Sequence, residues 1–293
     1  MRRFALLAAL ALAAPAARAQ TEPGPLPPTP TDYVYARSLA LSAYRGLAAG
    51  GNDAIFYNPA ALAARKRFAT ELQGLMFRDG SETSGSVLSG SVVDSTSSEL
   101  AGGFAYSYVK SLGYQPSGIF GGGTDVALAF PLGRTFFVGA TVTYLDLSAP
   151  TNKVNAVNVN LGLLWQVSKL VSLGGAGYNL INTCHPDVTP RAFGAGAAIG
   201  PDETFHITGD FYREWGTAGP RNVWSAGGEI FLFDVAAVRG GWVFDPGRHS
   251  QWWSGGAGFS VDGFGMDFTY RQAFGTATWR VLAAGFKIVM PNM

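Results

Sequence analysis

Apolar and polar positions alternate with a period of two along most of this chain. In 135–144, Phe136, Val138, Ala140, Val142 and Tyr144 share one face; Thr135, Phe137, Gly139, Thr141 and Thr143 share the other. In 157–168, Val157, Val159, Leu161, Leu163, Trp165 and Val167 oppose Asn158, Asn160, Gly162, Leu164, Gln166 and Ser168. The same beat sets Phe264, Met266, Phe268 and Tyr270 against Gly265, Asp267, Thr269 and Arg271. Successive strand side chains point to opposite faces, so each segment has one apolar face and one small or polar face. The pattern predicts fourteen strands, at 67–78, 85–95, 99–110, 123–132, 134–147, 154–167, 170–180, 190–200, 203–214, 221–233, 235–245, 250–261, 263–273 and 277–290. The second is the weakest, Ser-rich with only Val87, Leu88, Val92 and Val93 as apolar positions. The predicted connections alternate in length: short at Gly133, Asp234 and Asp262, longer at 79–84, 111–122, 148–153, 181–189, 215–220, 246–249 and 274–276.

A soluble β-sandwich would also alternate, so composition has to decide. Charged residues make up only 14% of the chain, against about 25% in soluble domains. Glycine supplies 39 of 293 positions, and the small or polar faces consist mostly of Gly, Ala, Ser, Thr and Asn, with aromatics towards strand ends. Such strands suit a barrel that turns its apolar face to lipid and its polar face inwards. No stretch after the N-terminus reaches the ~18 apolar residues of a spanning helix. The expected fold is therefore all-β: a transmembrane antiparallel β-barrel of fourteen strands. Short turns on one side and longer loops on the other would leave both barrel ends in the periplasm.

The N-terminus reads as an export signal. Arg2 and Arg3 precede the apolar run Phe4–Ala14, and Ala17-Arg18-Ala19 places small residues for cleavage between Ala19 and Gln20. The predicted units are a signal peptide (1–19), a leader and plug (20–66) and the barrel (67–293). The leader carries Pro23, Pro25, Pro27, Pro28 and Pro30, which disfavours pairing as a strand. A small-residue stretch, Ala36-Arg37-Ser38-Leu39 to Asp53-Ala54-Ile55-Phe56-Tyr57-Asn58-Pro59-Ala60-Ala61-Leu62, follows it. Tyr57-Asn58-Pro59 reads as a turn, or as the cap of a short helix running to Ala63. Ala and Gly suit a plug that must expose little bulk inside a barrel.

These residues resemble the FadL-type superfamily of outer-membrane barrels, which includes transporters of hydrophobic compounds and PorV/PorQ-like proteins of secretion machines. Asp53, Ala54, Tyr57, Asn58, Pro59, Ala60 and Leu62 make up the hatch motif: Asn58, Pro59, Ala60 and Leu62 match, Ala61 replaces the family's glycine, and Asn52-Asp53-Ala54 stands where Asp-Asp-Ala or Asp-Ala-Ser is common. The resemblance implies an N-terminal hatch inside a fourteen-stranded barrel. It also implies a conduit for small hydrophobic compounds, or a non-transporting barrel that docks an envelope protein. Phe137, Leu164 and Tyr57 would supply apolar contacts between hatch and wall. Gly285, Ile288 and Met290 resemble the terminal signal read by barrel assembly machinery.

Charge and chemistry narrow the rest. A formal net charge of +1 with no basic stripe excludes a nucleic-acid binder. The single cysteine, Cys184, excludes an internal disulfide and, with only His185 beside it, a metal site. Glu71, His206, Asp210, Glu229, Arg239, Asp267, Arg271 and Lys287 fall on inward faces, as lumen-lining polar groups. Glu229 with Arg239, and Asp267 with Lys287, are placed to form ladders tying plug to wall. His206 and Asp210 lie roughly 13 Å apart along one strand, too far for a catalytic pair. No enzyme and no cofactor is expected. The expected partners are outer-membrane lipid, the assembly machinery, a hydrophobic small molecule in the lumen and an envelope protein.

Overall fold

The computed structural model describes residues 35–48, 50–80, 82–112, 119–148, 153–181, 188–201, 204–216, 219–233, 235–274 and 279–290. The signal peptide, most of the leader, the loop 114–118 and Cys184-His185 lie outside the described residues. Fourteen strands form one closed antiparallel barrel in which β1 also pairs with β14. They are β1 (Phe68–Asp79), β2 (Glu82–Asp94), β3 (Ala101–Leu112), β4 (Ile119–Pro131), β5 (Phe136–Ser148), β6 (Lys153–Gln166) and β7 (Val171–Tyr178). The remainder are β8 (Arg191–Ile199), β9 (Phe205–Gly216), β10 (Gly219–Leu232), β11 (Ala236–Asp245), β12 (Ser250–Val261), β13 (Phe264–Ala273) and β14 (Trp279–Met290). The Ser-rich β2 is a full member, paired to both β1 and β3.

Closure leaves every strand two faces and no free edge. Leu72, Leu88, Val126, Leu128, Val142, Leu161, Leu163, Ile207, Val238, Met266 and Phe286 all face outwards and are exposed. On the alternate positions Leu75, Val87, Ala127, Thr141, Asn158, Asp210, Asp267 and Thr269 are buried. The in/out register therefore matches the alternation in the sequence. An apolar surface this extensive is stable against lipid, not water.

The loop-length alternation is weaker than the sequence implies. The connection predicted at 79–84 shrinks to the two positions between Asp79 and Glu82, and that at 215–220 to the two between Gly216 and Gly219. Antiparallel pairing uses backbone groups alone, so Asp79↔Glu82 and Gly219↔Gly216 extend the ladder through residues that resemble loop by composition.

The lumen is filled by the N-terminal segment. Helix α1 (Ala36–Leu41) packs on β10–β14, while α2 (Ala54–Tyr57) and a 3₁₀ turn at Pro59–Leu62 pack on the opposite wall, β3–β6. Leu39, Leu41, Leu47, Ile55 and Leu62 join Leu75, Val93, Phe137 and Leu164 in one apolar core. A chain that crosses the lumen leaves many backbone groups without a helix or sheet partner. The wall satisfies them. Gln73 Oε1 accepts from the Ala36 N–H (2.8 Å), Thr269 donates to Ala36 O (2.6 Å) and Ser254 to Ala40 O (2.8 Å). Ser42, at φ 61°, ends α1 and meets the Ser254 hydroxyl at 2.9 Å.

Candidate functional site

The second half of the plug is held in the same way. Asp210 on β9 accepts from the backbone N–H of Tyr44 (2.9 Å) and Arg45 (3.0 Å), and its carboxylate pairs with the Arg45 guanidinium at 3.2 Å. That guanidinium lies over the rings of Tyr44, Tyr178 and Tyr212, at 5.2, 5.5 and 4.7 Å from their centroids. Ser172 donates to Gly46 O (2.5 Å) and Thr141 to Ile55 O (2.7 Å).

Asn58 is fully buried and bridges plug to wall. Its amide donates to Arg45 O (2.8 Å) within the plug and to Leu163 O (3.0 Å) on β6. It sits at the N-cap of the short helix expected to start at Asn58-Pro59, here a 3₁₀ turn, but its side chain makes no capping bond, which corrects that part of the expectation. Pro59 is the first residue of that turn, and Ala54, Pro59, Ala60 and Leu62 are buried with it. Ala61 lies inside the turn and does not take a positive φ, so this turn requires no glycine there. Asp53 accepts a hydrogen bond from Ser38, joining α2 to α1.

Several of the inward charges form one network. Glu229 on β10 has no exposed surface and receives Arg37 of α1 (2.6 Å) and Arg239 of β11 (2.5 Å), with His206 Nδ1 at 3.4 Å. Arg239 reaches on to Asp267 on β13 (2.5 Å), which also holds Lys287 of β14 (2.8 Å). Both predicted ladders therefore exist, and Arg37 ties them to the plug. His206 and Asp210 are not assembled: one faces Glu229, the other Arg45. Glu71 lies opposite Lys287 across the β1–β14 seam, and Arg271 lies 5.2 Å from the Trp252 ring centroid. Most of these side chains meet the plug or one another, and Glu71, Arg239, Asp267 and Lys287 also line a cavity beside the plug. Arg37, Arg45, Tyr44 and Tyr178 are contributors that the alternation did not single out. Their roles depend on where the plug sits.

Two of the cavities beside the plug bear on the site. One, about 470 Å³, opens where β1 begins and β14 ends, and is lined by Arg37, Asp53, Arg67, Glu71, Arg239 and Lys287. The other, about 140 Å³, lies in the opposite half of the barrel. Tyr35, Tyr44, Phe56, Tyr57, Tyr178 and Tyr212 form its aromatic lining, beside Leu75, Val87 and Leu147 and the polar Asp125, Thr143 and Asn160. α2 separates the two, with Asp53 towards the charged cavity and Phe56-Tyr57 towards the aromatic one. Of the three predicted apolar contacts, only Tyr57 lines this cavity; Phe137 and Leu164 are closed off in the core beneath the plug.

No protein-family model matches the sequence, and no curated protein does. Solved structures do. The chain is similar to the Ralstonia pickettii toluene transporter TbuX (TM-score 0.66, 13% identity, covering 89% of this chain and 98% of that one). It is also similar to a Pseudomonas aeruginosa FadL homologue (TM-score 0.61, 14% identity, 91% and 98% covered). A third is the Pseudomonas putida toluene transporter TodX (TM-score 0.59, 12% identity, 86% and 95% covered). At these identities the likeness is one of fold: this chain shares the closed barrel architecture of those proteins, with its lumen occupied by the N-terminal segment.

Proposed function

We propose that this protein is an outer-membrane conduit for small apolar compounds, exported with a signal peptide ending at Ala19 and inserted with both barrel ends in the periplasm. The observation that carries the reading is the aromatic cavity resting on the plug. Its volume of about 140 Å³ is close to that of the ~150 Å³ protein cavity known to hold one benzene molecule. Its walls of tyrosine, phenylalanine and aliphatic side chains suit a ring compound. Two of the similar structures are described as toluene transporters, which agrees with a guest of that size. The plug would hold the guest in the outer half of the barrel, apart from the charged mouth on the periplasmic side.

The test is reconstitution. Vesicles containing the purified barrel should take up toluene or a fluorescent apolar analogue faster than empty vesicles, and the uptake should saturate. The same preparation, analysed by mass spectrometry, should yield small apolar compounds carried through purification. Uptake no faster than in empty vesicles, together with a stoichiometric envelope protein in the preparation, would replace this reading with a docking role.

A further inference from the structure

The aromatic cavity is not uniformly apolar, and its polar wall has a direction. The backbone N–H of Asn179 donates to Asn160 Oδ1 (2.9 Å), which fixes the orientation of that amide. The Asn160 amide then faces the Thr143 hydroxyl at 3.5 Å, and Thr143 donates to Asp125 Oδ1 at 2.5 Å. Every donor in this row, from Asn179 through Asn160 on β6 and Thr143 on β5, points towards Asp125 on β4. Among the described residues no other hydrogen bond reaches the Asp125 carboxylate. Asp125 is buried and lines the cavity, so its second oxygen is an acceptor waiting for a donor.

We infer that the cavity is built for a ring compound carrying a neutral hydroxyl, a phenol, in preference to the bare hydrocarbon. This rests on the conduit reading and deepens it. A hydrocarbon would strip water from a buried carboxylate and return no hydrogen bond. A phenol places its ring against Tyr44, Phe56 and Tyr57 and its hydroxyl on Asp125, a bond strengthened by the acceptor's charge. An ammonium group fits less well, because the Arg45 guanidinium lines the same small space.

The matched probes are p-cresol, toluene and 4-methylanisole, which share the tolyl ring and differ in having a donor, no oxygen, or an oxygen without a donor. Binding to the full-length barrel in detergent is measured by titration for each. The expected order is p-cresol tighter than both others by about tenfold. In Asp125→Ala that ratio should fall to within about twofold of one. Equal affinities in the unaltered protein, or a preference for p-cresol that survives Asp125→Ala, would overturn the inference while leaving the conduit intact. Binding of none of the three would instead overturn the conduit. The three-probe comparison on the unaltered barrel needs no variant to fold.

Discussion

At the scale of single residues, the plug depends on a few side chains that each complete two connections. Glu229 is the clearest, with Arg37 and Arg239 on its two oxygens and no exposed surface. Removing one member of a buried pair leaves the other charges uncompensated, at a cost of about 3–5 kcal/mol. Glu229→Ala should therefore lower the urea midpoint of the barrel clearly. Replacing Arg37 as well, with Met, should recover part of the loss. An unchanged midpoint in Glu229→Ala would mean that the network contributes nothing to holding the plug. Asn58→Ala should cost less, about 1–3 kcal/mol, because two carbonyls lose a neutral donor. Its effect should appear as faster hydrogen exchange at 44–46 and 57–62, with strand amides still protected. Half of this chemistry was legible. Glu229 stands directly opposite Arg239 in the register, so opposite charges on consecutive strands announced that pair. Arg239 with Asp267 did not, since their side chains meet across β12 in the space left by Gly258. Arg37 was invisible in its role because only the folded plug brings α1 to β10.

At the scale of elements, the strands were legible because lipid outside and plug inside impose two different solvents on alternate residues. Even the Ser-rich β2 obeys this, since its backbone pairs with both neighbours. The inward polar residues were harder to interpret. Ser172, Thr141, Ser254 and Thr269 suggest a wet lumen by composition, yet they serve the backbone of a chain absent from any local pattern. Glycines tell the same story. A Cβ at Gly227 on β10 would collide with the carbonyl oxygen of Leu41, and one at Gly241 on β11 would lie 2.6 Å from it. These positions let the plug backbone rest directly on the wall. Gly227→Ala should push α1 off its seat at a cost of about 1–3 kcal/mol. Gly209→Ala on neighbouring β9 is the control, because its Cβ would meet only Ser225 O, at 3.9 Å. Exchange at 36–42 should rise in the first variant and stay unchanged in the second; a rise in both, or in neither, would remove the close-contact explanation.

At the scale of the whole molecule, the barrel sorts its chemistry by direction: apolar side chains outwards, charged and polar ones inwards, where many of them meet the plug. That arrangement makes position on a strand more important than residue type. Leu161 and Asn160 are chain neighbours on β6, yet Leu161 is 50% exposed on the outer face and Asn160 is buried beside the aromatic cavity. An arginine on the lipid face near the middle of the bilayer costs about 2–4 kcal/mol. Leu161→Arg should accordingly reduce the fraction of protein that migrates as a folded, heat-modifiable barrel on unboiled gels. Asn160→Arg should insert normally, because its long side chain can extend into the cavity and put its charge near Asp125. It should instead abolish binding of any ring compound, by occupying the space. The two variants thus separate folding from function one residue apart. The opposite outcome, with Leu161→Arg inserting and Asn160→Arg failing, would require every side chain of β6 to change faces, since a register slip of one residue reverses the whole strand. It would also break the polar wall of the aromatic cavity, because Asn160 would then face lipid, away from Thr143 and Asp125 on β5 and β4.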